Sequence, residues 1–248
     1  MKRIAVLALG VAFLSGASVQ AQMRAVGNVP GCVQGKPVDP RPYLDPFAAR
    51  TLRVIVNGPT RGVLPCVRTA YREGYRIYFI VHYPGGLGRH AVHEFFKQVL
   101  PPYRHYIWAV GIGSEQEVAY IWQTHNGAHD TGHDYAVQWQ ATEPYVRKLL
   151  PHAILVAGGI TPWGLGFLKE ALHYGLPGAQ VISAHPYIMR KGFQPGQFFA
   201  VARKNHKRAW IDEAWNGNDI TVNGHTHWWY GPPSDEIRRA QLAGVWLN

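Results

Sequence analysis

Six short apolar runs, rich in β-branched and aromatic residues, recur along the chain at residues 52–56, 77–81, 107–112, 153–157, 181–184 and 209–211. None alternates strictly with polar positions, so each reads as a strand buried on both faces. Between the runs the period changes. Val92, Phe95, Phe96 and Val99 fall at helical spacing, Tyr145, Val146, Leu149 and Leu150 form a second apolar stripe, and Leu168, Ala171 and Leu172 a third. Pro, Gly and polar residues punctuate the joints. Alternating strands and helices specify a parallel sheet, either an open doubly wound sheet or a (β/α)8 barrel. Residues 23–26 supply a first strand and 245–248 a last one, and the resulting count of eight favours the (β/α)8 TIM barrel. The chain ends within that last run, so a short barrel, incomplete at its C-terminal strand and helix, is expected.

The N-terminus departs from this alternation. Lys2 and Arg3 precede an apolar stretch over residues 4–14, and small and polar residues then lead to Ala21. That is the form of a secretory signal cleaved after Ala21, and the stretch is too short to span a bilayer. Residues 1–21 therefore read as a signal peptide and 22–248 as a single domain, secreted or periplasmic. Composition fits a folded domain: 47% of residues are hydrophobic and 16% charged, which excludes a disordered or fibrous chain. Export bears on Cys32 and Cys66, for which a disulfide is the default in an oxidising compartment.

Without Lys2 and Arg3 the formal charge falls from +10 to +8. The densest basic cluster, residues 203–208, precedes the seventh strand and so falls at the end of a barrel opposite its active site. It reads as a solvated face. No nucleic-acid motif accompanies it, and no nucleic-acid partner is expected.

Chemistry in such a barrel gathers where strands end. Counting residues 23–26 as the first strand, the fourth leads into Gly113-Ser114-Glu115 and the seventh into Asp212-Glu213. Arg53 interrupts the second strand, His82 follows the third, and His185-Pro186-Tyr187 follows the sixth. Carboxylates after two separate strands, with Arg, His and Tyr around them, suit acid/base and nucleophilic work on a glycosidic bond. Plainer readings stand beside this one. Arg53 would serve as a buried ion-pair partner, and His82 and His185 as hydrogen-bonded core histidines. Glu117, Glu143 and Glu170 read as residues of solvated helix faces.

In strand order this constellation resembles the retaining glycoside hydrolases of clan A, the cellulase-like and β-glycanase-like barrels. The resemblance implies that Glu115 is the general acid/base and Glu213 the nucleophile. It implies substrate-binding roles for Arg53, His82, His185 and Tyr187, and for Trp246 on the last strand. Ser114 stands where the clan has an Asn that contacts the sugar 2-hydroxyl. Arg53 and Tyr187 would orient Glu213, while His82 and His185 would meet sugar hydroxyls. The implied partner is an oligo- or polysaccharide, and no cofactor is implied.

Trp122, Trp163, Trp215, Trp228 and Trp229 follow strands and suit either burial or stacking against sugar, with Trp215 closest to Glu213 in sequence. Arg61, Arg89, Arg190 and Lys191 in site-side loops leave an acidic polysaccharide open. His125, His129 and His133 fall four apart, but Gly127 and Gly132 interrupt the helix that a zinc site of this spacing needs. Two other classes remain open: a carbohydrate-binding barrel without catalysis, and a metal-dependent hydrolase built on the histidines.

Overall fold

The computed structural model describes residues 26–27, 51–59, 62–118, 129–161, 163–185, 195–211, 219–222, 225–228 and 246–247. Strands and helices alternate: β1 Val26–Gly27, β2 Thr51–Val56, α1 Leu64–Arg72, β3 Arg76–Val81, α2 Arg89–Val99 and β4 Ile107–Ile112. They continue as α3 Gly132–Leu149, β5 Ile154–Ile160, α4 Leu165–Tyr174, β6 Val181–Ala184, α5 Pro195–Lys204 and β7 Arg208–Ile211. An antiparallel pair follows, β8 Asp219–Val222 and β9 His225–Trp228, before β10 Trp246–Leu247. The parallel sheet has the order β1-β2-β3-β4-β5-β6-β7-β10, so each barrel strand pairs with the next one in sequence. This is the TIM-barrel order, with β10 in the eighth place and the β8–β9 pair as an insertion.

Two apolar layers account for the strand composition. Leu52, Val54, Phe79, Val81, Val110, Ile112, Leu155, Ile182 and Ala184 face outward against the helices, which contribute Val67, Val92, Phe96, Trp139 and Leu168. Tyr78, Ile80, Ala109, Val156, Val181 and Trp210 fill the inside. Both sides of each strand are covered, and that is why the runs lack polar alternation. The lower interior is plugged by aromatics: Trp210 stacks on Trp108 at 5.7 Å and meets Tyr78 edge-on, and the Arg76 guanidinium lies 4.9 Å from the Trp108 ring centroid. Gly111 makes room beside them, since a Cβ there would come within 3.3 Å of the Tyr78 hydroxyl.

Candidate active site

Alternation along each strand decides which residues enter the barrel mouth. On β3, Tyr78 and Ile80 point inward, so His82 follows inward, and it is buried. On β6, Val181 points inward, and Ser183 and His185 continue that face. On β4, Ala109 is interior, and the same parity runs through Gly111 and Gly113 to Glu115.

Glu115 adopts a positive φ of 52° at the exit of β4. A side chain bearing a Cβ is held in that region at a cost of about 1–2 kcal/mol, and such strain gathers at functional sites. Two backbone hydrogen bonds hold the turn: Glu115 N–H donates to the Gly159 carbonyl (3.0 Å), and Val118 N–H donates to the Glu115 carbonyl (3.1 Å). The carboxylate is buried, and its Oε1 lies 2.8 Å from His185 Nδ1 in a hydrogen bond. Gly159, at φ 59°, sits between its neighbours; a Cβ there would meet Ser114 Oγ at 2.9 Å and His185 Nε2 at 3.2 Å. The register slips between Gly158 and Ile160, and Gly159 N–H donates to Ser183 Oγ (2.8 Å) in the resulting bulge. Bulges of this kind re-aim strand ends beside active sites.

Ser114, Glu115 and His185 are thus brought together, with His82 following the strand next to β4. His185, expected against sugar hydroxyls, is found paired with the acid/base candidate. Arg53 is buried in register with Tyr78, near the start of β2. Val56 pairs with Val81, so His82 is four residues further along, about 13 Å of strand. The backbone of Trp246 lies on the eighth barrel strand in register with Trp210. Glu213, Tyr187, Trp215 and Cys32 lie outside the described residues. Cys66 is fully buried on α1, and among the described residues there is no free cysteine.

Glu117 corrects an expectation. It lies in the turn after β4, off any helix, and its Oε1 accepts from Thr161 N–H at 2.6 Å. Burial pushes its carboxyl above the ordinary carboxylate range; hydrogen bonds from Thr161 oppose this, and the nearby charge of Glu115 adds to it. Glu170 on α4 is likewise engaged, accepting from Gly132 N–H at 3.0 Å. Gly132 opens α3, so His129 and His133 do not share a helical face, and no metal-binding cluster is found among the described residues.

A buried polar network that no motif in the sequence marks lies behind Glu115. Asp130 Oδ1 accepts from Gly86 N–H (2.8 Å) and Gln138 Nε2 (2.9 Å), and its Oδ2 from Gln116 Nε2 (3.3 Å). Gln116 Oε1 in turn accepts from Ser114 N–H at 3.2 Å, and Tyr83 Oη donates to Gln138 Oε1 at 2.8 Å. Asp130, Gln116 and Gln138 are each 2% exposed, so the loops after β3 and β4 are fixed from beneath. Asn57, exposed at the end of β2, was also missed, although it stands two positions beyond inward-packed Ile55.

With this geometry in view, comparison with solved structures is informative about fold. The chain is similar to the GH53 catalytic domain of Ignisphaera aggregans, with 14% identity over 78% of this chain and 63% of that one and a TM-score of 0.50. It is similar to the endo-1,4-β-mannanase of Rhizomucor miehei, with 7% identity, 81% and 78% coverage and a TM-score of 0.52. It is also similar to the family 1 β-glucosidase of Thermotoga maritima, with 10% identity, 82% and 73% coverage and a TM-score of 0.53. These are clan A glycoside hydrolases, and the chain shares their TIM-barrel fold. It spans less than two thirds of the length of the GH53 domain. No family model and no curated protein matches the chain.

Proposed function

We propose that the protein is a secreted or periplasmic retaining glycoside hydrolase that cleaves an oligo- or polysaccharide. The observation that carries this reading is Glu115: a buried carboxyl in a strained turn at the end of the fourth barrel strand, hydrogen-bonded to His185 from the sixth. In this scheme Glu213 attacks the anomeric carbon. The glycosidic C–O bond breaks as an ester bond to Glu213 forms, and the Glu115 proton passes to the leaving oxygen. Glu115 then takes a proton from water, whose oxygen attacks the same carbon and frees Glu213. In this scheme His185 Nδ1–H donates to Glu115 Oε1 in both steps, which leaves Oε2 to carry the proton that passes to the leaving oxygen and returns from water. No cofactor takes part.

A retaining mechanism needs the two carboxylates about 5–5.5 Å apart and predicts that a fluorinated glycoside labels Glu213 covalently. Glu213→Ala should lose turnover almost entirely. Glu115→Ala should retain turnover of substrates with good leaving groups, and azide should restore part of its rate with retained configuration. A label on Asp212, or on no residue while turnover proceeds, would overturn the assignment of the nucleophile. Ser114 favours a second reading, a carbohydrate-binding barrel without catalysis, because its hydroxyl replaces the amide that grips the 2-hydroxyl in the clan. That reading predicts retardation on a polysaccharide gel with no product released.

A further inference from the structure

The strands of a parallel barrel all begin at one end, so the elements fix which charges share the face opposite Glu115. Arg76 and Arg208 are the first residues of β3 and β7, and Arg104 stands in the turn before β4. Arg72 ends α1, and Arg203 and Lys204 end α5. All six are exposed. No ion pair among the described residues involves any of them. The acidic residues described toward this end are Glu73 and Glu143, and Glu143 is already paired with Arg147 at 3.7 Å. Carboxylates gather instead at the mouth, as Glu115, Glu117 and Asp130. A face that is merely solvated intersperses the two signs, whereas cations grouped without counter-charges repel one another.

Two of the six are ordered by the barrel floor. The Arg76 guanidinium lies 4.9 Å from the Trp108 ring centroid and that of Arg208 6.0 Å from the Trp210 centroid. The two indoles stack on each other at 5.7 Å with 14° between their planes. A ring face holds a guanidinium without using its N–H donors, so less side-chain freedom is lost when an anion binds. The exposed Tyr71, beside Arg72, meets Tyr106 of the turn before β4 at 5.3 Å and sets an amphipathic ring on the same face. The arrangement decides what kind of anion fits. β3 and β7 stand four places apart in the eight-strand order, so the cations are spread around the barrel end and not along one groove. A linear polyanion meets one side of such a ring, whereas a planar anionic surface meets all of it at once.

We infer that the closed end of the barrel is a docking surface for an anionic lipid bilayer. Clusters of this many exposed Lys and Arg suffice for such binding, which is electrostatic, peripheral and weakened by salt. Docked in this way, the protein turns its mouth, with Glu115, away from the lipid and toward the solvent. The inference is independent of the hydrolase reading of the mouth, and its test involves no turnover.

The test takes the full-length mature protein and measures co-sedimentation with vesicles of phosphatidylcholine alone or with about one third phosphatidylglycerol. The parent should bind the anionic vesicles, leave the neutral ones, and be released at about 0.5 M salt. Arg203→Glu/Lys204→Glu should lower partitioning by about tenfold or more, and Arg203→Gln/Lys204→Gln by less. Arg72→Glu/Arg104→Glu, on other elements of the same face, should repeat the loss, so the test does not hang on α5 tolerating the change. Arg89→Glu/Lys169→Glu alters the net charge equally at the start of α2 and on α4, and should keep most of the binding. A parent that ignores anionic vesicles overturns the inference. An equal loss in the Arg89/Lys169 variant also overturns it, since net charge and not this face would then be responsible. Retardation on a polygalacturonate gel without vesicle binding would assign the face to an acidic glycan and overturn the bilayer as its partner.

Discussion

Glu117 shows how one side chain ties acid chemistry to folding. Its carboxyl is raised above the ordinary range mainly because burial disfavours the charge, and the charge of Glu115 pushes the same way. The folded state therefore holds the Glu117 proton more tightly than the unfolded chain does. Below the ordinary carboxylate range both states are protonated and the residue costs nothing. As pH rises through the unfolded value and then the folded one, the unfolded chain ionises first and stability falls. Glu117→Gln keeps an acceptor for Thr161 N–H and removes the charge. Its melting temperature should equal or fall below that of the parent at pH 4 and exceed it at pH 7. A difference between the two proteins that stays constant with pH would show that Glu117 is accommodated as a carboxylate.

At the level of elements, the loops after β3 and β4 are joined through Asp130, which takes donors from Gly86, Gln116 and Gln138. Replacing it with Asn turns one acceptor into a donor facing other donors, so at least one buried N–H loses its partner at about 1–3 kcal/mol. Asp130→Asn should accordingly speed amide exchange in peptides covering Gly86 and Ser114 while the interiors of β3 and β4 remain protected. Uniform protection across those peptides would mean that the loops hold without it. This network was invisible in the sequence, because its partners are 44, 14 and 8 positions from Asp130 and no short spacing marks them. The strands were legible for the opposite reason: double burial writes a continuous apolar run, and β4 and β6 coincide with runs 107–112 and 181–184. β5 continues past its run to Ile160, since Gly158 and Gly159 dilute the apolar signal where the bulge forms. The β8–β9 pair has a sequence signal of its own, an Asn-Gly dipeptide at 223–224, which favours tight hairpins. The inward placement of Glu115 and His185 was legible because strand parity extends into the first residues of a loop. Glu117 was misread because a turn, not a helix, follows β4.

Across the whole molecule, the sheet is built from neighbours in sequence, and the first strand has only two described residues to pair with β2, Val26 with Thr51 and Gly27 with Leu52. A covalent link between the segments that follow β1 and β2 would add to that pairing. Cys66 is fully buried on α1, directly after β2, and is not a free thiol. The chain's one other cysteine, Cys32, follows β1 in sequence. We propose a bridge between them, which would close a loop of about 34 residues and contribute roughly 3–4 kcal/mol by loop entropy, lost on reduction. The domain's melting temperature should then drop by about 10 °C in reductant, at roughly 2–4 °C per kcal/mol. Protein recovered from an oxidising compartment and alkylated under denaturing, non-reducing conditions should take up no label, and two labels only after reduction. Two labels before reduction would exclude the bridge and leave β1 held to the barrel by its ladder and packing alone. A label-free parent whose Cys32→Ser variant melts at the same temperature would show instead that the bridge forms without stabilising the barrel.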